Sequence, residues 1–356
     1  MTILWINLSI VFIFSFFARY FSKPIIINGT SFSVRPNKIS IMGALVSLIL
    51  VSGLRNNIGD TFFYVHSYKM FNFTWDFIKT QKDIGFGILQ MILKCYSDDP
   101  QILIFTTAFI TNLLIVIVLF KYSRIFEISI YVYITGGLFL VTMNGIRQCL
   151  AASIIFSATK LLIEGKWFKY ILVIIFASLF HQSALILIPI SFLVRYKAWS
   201  KATLILLLMS ILIVLGFNQF SAVLFSTIQD SQYSEYSNFS EGGANIIRVI
   251  VFATPLVIAY FGKERLREIY PESDYIVNMS IIGLVFMIIS TQNWIFARFN
   301  IYFELYQVIL ISWIIKLFNH RDQKLIYYAI LICYFAYYYY ESVISLNIVY
   351  KSDYLG

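Results

Sequence analysis

The chain has 356 residues, 60% of them hydrophobic and only 13% charged, with a formal net charge of +9. A soluble domain of this size carries about 25% charged residues, so an ordinary soluble enzyme is excluded. Apolar runs of about 20 residues mark an integral membrane protein. In that setting the surplus cations act as orientation signals in short loops, and no nucleic-acid partner is implied.

The first apolar run, residues 3–18, has no basic residue before it and no small-residue cleavage site after it, and it reads as a retained span. Further spans are predicted at 39–54, 101–120, 125–142, 145–163, 202–217, 246–261, 275–291, 299–318 and 325–341. Two shorter halves, 168–180 and 182–194, flank His181. As one helix, 167–194 would be roughly 42 Å long, too long for one steep crossing of a core of about 30 Å. A short hairpin turning at Phe180-His181-Gln182-Ser183 keeps the later basic loops on the inner side. It would also set the turn partly within the membrane, where irregular backbone is tolerated only if it is protein-buried or lines a watery cavity. The stretch 84–95 is too short to cross and reads as an interfacial or re-entrant helix within an outer segment, 55–100. A second outer segment spans 218–244, without Lys or Arg. The expectation is an all-α polytopic bundle forming a single membrane domain over 1–356. It has about twelve transmembrane segments, or eleven to thirteen, and an outward-facing cavity.

Orientation follows the basic residues. With the N-terminus outside, most of the 27 Lys and Arg lie inside, in groups such as Arg19–Lys38, Lys160–Lys169, Lys263–Arg267 and Lys316–Lys324. The exceptions on the outer side include Arg55, Arg147, Arg248, Arg298 and Lys351. Charge at membrane depth costs free energy and requires compensation. An anionic ligand would supply it, and so would internal ion pairs.

Those exceptions sit in polar clusters. Arg55-Asn56-Asn57-Ile58-Gly59-Asp60 with Tyr64 follows the second span; Gly59 suits a tight turn presenting Asp60, and the Arg55 fork suits phosphate. An ordinary loop with a local Arg–Asp pair is the plainer alternative. Asn144-Gly145-Ile146-Arg147-Gln148 opens a span. A cation at a helix N-terminus is unfavourable unless an anion answers it, although Arg147 could also snorkel to the headgroups. His181 stands at the proposed turn, either in a cavity or as a hydrogen-bonded packing residue. The outer segment 218–244 mixes polar and aromatic residues, a surface suited to sugars. Arg298-Phe299-Asn300 with Tyr302 and Glu304 starts another span, and Glu304 needs a partner, for which an arginine is the obvious choice. Three dispersed histidines and the odd set Cys95, Cys149 and Cys333 imply neither a metal site nor a disulfide framework.

At these residues the chain resembles a known family. Arg55…Gly59-Asp60…Tyr64, Arg147-Gln148-x2-Ala151 and Lys169-Tyr170…Ala177-x2-Phe180-His181-x-Ser183-Ala184 are similar to the EpsG branch of the Wzy-like polysaccharide polymerases. Arg298…Tyr302 and Val349-Tyr350-Lys351-Ser352 fit the same pattern, except that the proline expected before the terminal Tyr-Lys is missing. The resemblance implies a bacterial inner-membrane glycosyltransferase. Such an enzyme joins O-antigen-like oligosaccharide units carried on undecaprenyl pyrophosphate, at the periplasmic face, without metal or other cofactor, and alongside a chain-length regulator.

Within that reading Arg147, Arg248 and Arg298, with Arg55, stabilise the departing pyrophosphate. Asp60 or His181 is the general base, and the sequence favours neither. Tyr64, Gln148, Tyr302 and Glu304 complete the substrate contacts. A flippase or other transporter would also need a cationic cavity, but alternating access implies internal repeats and access from both faces, and the sequence shows no repeat. An O-antigen ligase shares the donor chemistry and is separated by the glycans of a deletion strain.

Overall fold

The computed structural model describes residues 1–27, 31–221 and 242–355. It is helical apart from one two-stranded hairpin, β1 (Lys23–Ile27) paired antiparallel with β2 (Ser31–Arg35). The helical reading follows from the apolar runs: in lipid the backbone must satisfy its own hydrogen bonds, and a helix does so within one segment. Of the outer segment 218–244, residues 222–241 lie outside the described residues.

The chain divides into two compact units, residues 1–188 with 311–356, and residues 189–310. In the first, α1 (Thr2–Tyr20) packs on α2 (Lys38–Gly53). The outer segment then forms α3 (Thr61–Met70), α4 (Trp75–Lys79) and α5 (Ile84–Lys94). The predicted short helix at 84–95 is therefore present as α5, while α3 and α4 were not foreseen. The next two spans are α6 (Gln101–Tyr122) and the pair α7 (Phe126–Thr135) and α8 (Leu138–Asn144). That pair bends by 54° at Gly137, whose φ of +96° favours glycine. Beyond the bend come α9 (Ile146–Ser157), α10 (Thr159–Ile163) and α11 (Trp167–Ser178). The helix breaks at His181 as expected. It resumes as a 3-10 turn, Gln182–Ile186, packed on α9 and α11, and then as α12 (Leu187–Leu193).

In the second unit, α13 (Lys201–Leu215) and α14 (Ile246–Phe261) pack on α16 (Ser273–Ile289), with α15 (Lys263–Ile269) between the last two in sequence. Gly283 of α16 allows a close approach, since a Cβ there would lie 2.6 Å from Asn300 Oδ1 on α17 (Ile295–Ile314). At the predicted inner end, Arg267 ties α15 to Asp274 at 3.1 Å and to the Ala198 carbonyl at 3.0 Å. The chain then returns to the first unit through α18 (Gln323–Tyr339) and a π turn, Tyr340–Ser345.

Among the described residues three helices are long and apolar enough to cross a membrane, α1, α6 and α17 with its short extension. The count becomes five if each of two bent pairs is one span; the other apolar helices are shorter. Outward-facing Ile and Leu, such as Leu208 and Leu212 of α13, are more than half exposed. Water would penalise such a surface, whereas hydrocarbon accepts it.

The end of α2 shows how the fold is held. The last carbonyls of a helix have no partner within it. Here each is met by a side chain: Val51 by the Tyr350 hydroxyl at 2.7 Å, Ser52 by Arg55, Gly53 by Gln101, and Leu54 by the Ser352 hydroxyl at 2.5 Å. Two of these donors come from the C-terminal tail, which also pairs its backbone with Asn56 and Asn57. A Tyr350→Phe variant should lose about 1 kcal/mol. Thermal unfolding of the purified protein should show this as a lower Tm.

Candidate functional site

The site is built where the loop after α2 meets the start of α9. Ile58 and Gly59 both take positive φ, +85° and +52°, turning the chain sharply so that Asn144 lies against Gly59. A Cβ on Gly59 would come within 2.1 Å of Asn144 Oδ1. The same oxygen accepts the Asp60 N–H at 2.9 Å. The first two polar clusters of the sequence are thus joined by a hydrogen bond from the Asp60 backbone to the Asn144 side chain. Gly59→Ala combines left-handed strain of about 1–2 kcal/mol with that clash. A Tm several degrees below the parent's is expected for the variant in a thermal-shift measurement.

Arg55 is 1% exposed and each of its three nitrogens has an acceptor within the protein. Nε donates to Thr61 Oγ1 at 3.1 Å, Nη1 to the Ser52 carbonyl and Nη2 to the Met143 carbonyl at 2.6 Å. It sits at the C-terminal ends of α2 and α8, where helix dipoles favour a cation. Burial lowers its pKa to about 10, leaving it charged at neutral pH. Its fork holds helices together instead of facing open space.

Arg147 is placed differently. It lies in the first turn of α9, and its side chain is 41% exposed. The anion expected to answer it is present as a carboxylate: Asp83 Oδ2 accepts from Nη1 at 2.7 Å. The internal ion pair, one of the two forms of compensation the sequence allowed, therefore exists. It leaves part of the side chain exposed, over the rings of Tyr64 and Phe86 at 5.9 and 6.0 Å. The Asp60 charge also acts on Arg147 and Tyr64. Burial raises the Tyr64 hydroxyl above its ordinary pKa, and Arg147 pulls it back down.

The Asp83 carboxylate was not singled out from the sequence. It precedes α5, where an acidic residue ordinarily caps its own helix. It makes no such cap; its other oxygen instead accepts the Gln182 N–H at 3.1 Å. Burial pushes the Asp83 carboxyl above the usual carboxylate range, opposed by Arg147 and by the Gln182 amide. The N-terminus of α5 is also held to the His181 turn, with the Gly85 N–H on the Leu179 carbonyl at 2.7 Å. His181 is 8% exposed. Its Nδ1 lies 2.7 Å from Ser183 Oγ, which Gln148 Nε2 approaches at 3.4 Å.

In the first unit, then, Asp60, Tyr64, Arg147, Gln148 and His181 gather with Asp83 around one point. Arg55 also lies in the first unit, and Arg248, Arg298, Tyr302 and Glu304 belong to the second. There the Arg248 charge acts on Glu304, and Asn300 Nδ2 donates to Glu304 Oε2 at 3.2 Å. Arg298 lies over the Trp294 ring at 5.0 Å, and Tyr302 is buried at 2% exposure.

No curated protein and no solved structure matches the chain significantly. One family model does, that of the EpsG family, over residues 38–352. That match begins at the first residue of α2 and ends at Ser352 of the docked tail, so it takes in every side chain of the site above. The chain belongs to the EpsG family, which is associated with membrane polysaccharide polymerases of the glycosyltransferase type.

Proposed function

We propose that this protein polymerises oligosaccharide repeat units carried on undecaprenyl pyrophosphate, at the periplasmic face of a bacterial inner membrane. In this reading the chain crosses the membrane about twelve times, its shorter apolar helices serving as partial or tilted spans, with an outward-facing cavity. The distribution of Lys and Arg supports the sidedness. The observation that carries the reading is the half-exposed Arg147, supported from behind by Asp83 and flanked by Tyr64, Asp60 and the His181 turn.

The chemistry follows from that arrangement. A hydroxyl of the next lipid-linked unit attacks the anomeric carbon of the growing glycan. The new C–O bond forms as the bond from that carbon to the pyrophosphate oxygen breaks, its electron pair leaving with the pyrophosphate. Charge developing on that oxygen is stabilised by Arg147 in a site of low dielectric. Asp60 takes the proton: it is half-buried, whereas His181 is buried with Nδ1 engaged by Ser183. His181 then orients its turn, and Tyr64 and Gln148 contact the glycan or pyrophosphate. Arg248, Arg298, Tyr302 and Glu304, all in the second unit, are further candidates for binding substrate, and Arg55 acts by holding the loop that carries Asp60.

The test is the glycan profile of a deletion strain. Loss of a polymerase leaves single repeat units on the lipid carrier. Loss of a flippase strands them on the cytoplasmic side, and loss of a ligase leaves carrier-linked polymer untransferred. Single units on the outer side, converted to a ladder by the wild-type gene and not by Asp60→Asn, are the expected result.

A further inference from the structure

We infer that Asp83 is a positioning residue for this transfer, setting Arg147 and the His181 turn in one register through its two carboxylate oxygens. The inference rests on the polymerase reading and adds a residue to it. Oδ2 holds Arg147 Nη1 at 2.7 Å and Oδ1 holds the Gln182 amide at 3.1 Å. Arg147 comes from α9, Gln182 from the turn after α11, and Asp83 from the start of α5. One buried carboxylate, 4% exposed, therefore ties three separate segments.

The arrangement is specific in several respects. Asp83 spends neither oxygen on capping its own helix. The Gly85 and Phe86 amides both point to the Leu179 carbonyl, at 2.7 and 3.4 Å, which holds α5 close to the turn. Gly85 permits this approach, since a Cβ there would meet Leu179 Cβ at 2.8 Å. A guanidinium bound on one nitrogen by a fixed carboxylate loses side-chain freedom. Its charge is then held in place before substrate arrives, which is the preorganisation that electrostatic catalysis requires. Asp83 lies behind the guanidinium and is closed to solvent, so it acts through Arg147 and the turn and does not touch the sugar.

A residue of this kind affects turnover more than affinity. Misplacing a catalytic group by about 1 Å can cost about 100-fold in rate. The experiment uses the full chain reconstituted in liposomes, with lipid-linked repeat units extracted from the deletion strain as substrate. Rates are expressed per folded molecule, counted by monodisperse gel filtration. For Asp83→Ala, kcat should fall by about 100-fold with KM within threefold. Asp83→Asn keeps an acceptor for the Gln182 amide and loses the charge on Arg147, so it should fall between Asp83→Ala and wild type.

Turnover per folded molecule within twofold of wild type for Asp83→Ala would overturn the proposal, as would a purely KM effect. Should Asp83→Ala fail to fold, Asp83→Asn decides alone: unchanged kcat overturns the proposal and a fall in kcat at constant KM supports it. An inactive Arg147→Ala beside a fully active Asp83→Ala would remove only the role of Asp83. If both variants turned over normally, the polymerase site itself would be misplaced.

Discussion

Replacing Arg147 by alanine is expected to leave a folded, membrane-inserted protein that makes no polymer. The side chain is 41% exposed, pairs with Asp83 and lies over the rings of Tyr64 and Phe86, so its loss removes few contacts from the core. Asp83 would be left without its cation, a penalty moderated by the amide of Gln182 and by its raised pKa, which eases protonation. The catalytic cost is larger. Removing one preorganised group that stabilises developing charge typically costs 10²–10³-fold in rate, or about 3–4 kcal/mol. The glycan ladder of a complemented deletion strain should collapse to single repeat units. Arg147→Lys keeps the charge and loses the fork, so it should retain a short ladder if charge dominates recognition.

Arg55 predicts the opposite phenotype. Arg55→Ala would strip partners from the Ser52 and Met143 carbonyls and from Thr61, all buried or at helix ends. Each buried acceptor left unsatisfied costs about 1–3 kcal/mol, so the sum is on the order of 3–5 kcal/mol, enough to unfold a marginal protein. The variant should disappear from the membrane fraction on an immunoblot, whereas Arg147→Ala should be present at wild-type amounts. Arg55→Lys cannot reach three acceptors with one ammonium and should be intermediate. Wild-type abundance and stability for Arg55→Ala would show that this fork has another task.

The contrast between two arginines marks the limit of what the sequence revealed. Both stood out because cations on the outer side oppose the orientation signal, and both looked suited to an anion. In the fold one is buried against two carbonyls and a hydroxyl, and the other keeps part of its side chain exposed. The long apolar helices were legible because hydrophobic run length is a local property, and so was the break at His181, where the run was too long for one crossing. The hairpin at Lys23–Arg35 was not foreseen, nor were the short helices α3 and α4 in a segment of mixed polarity. Asp83 was illegible for a different reason. Its partner Arg147 is 64 positions away, and no local pattern around Lys82 and Ile84 sets it apart. The docking of Tyr350 and Ser352 onto α2, some 300 residues away in sequence, belongs to the same class of nonlocal contact.

Sidedness underlies every step of the proposed chemistry, and cysteine accessibility tests it most directly. Cys95 and Cys333 are exposed and Cys149 is buried, so all three are first replaced by serine. A single cysteine is then placed at position 147 or at Tyr64, and intact spheroplasts are treated with a membrane-impermeant maleimide. The account predicts labelling at both positions from the periplasmic side without permeabilisation. Labelling that appears only after the cytoplasmic side is opened would contradict it.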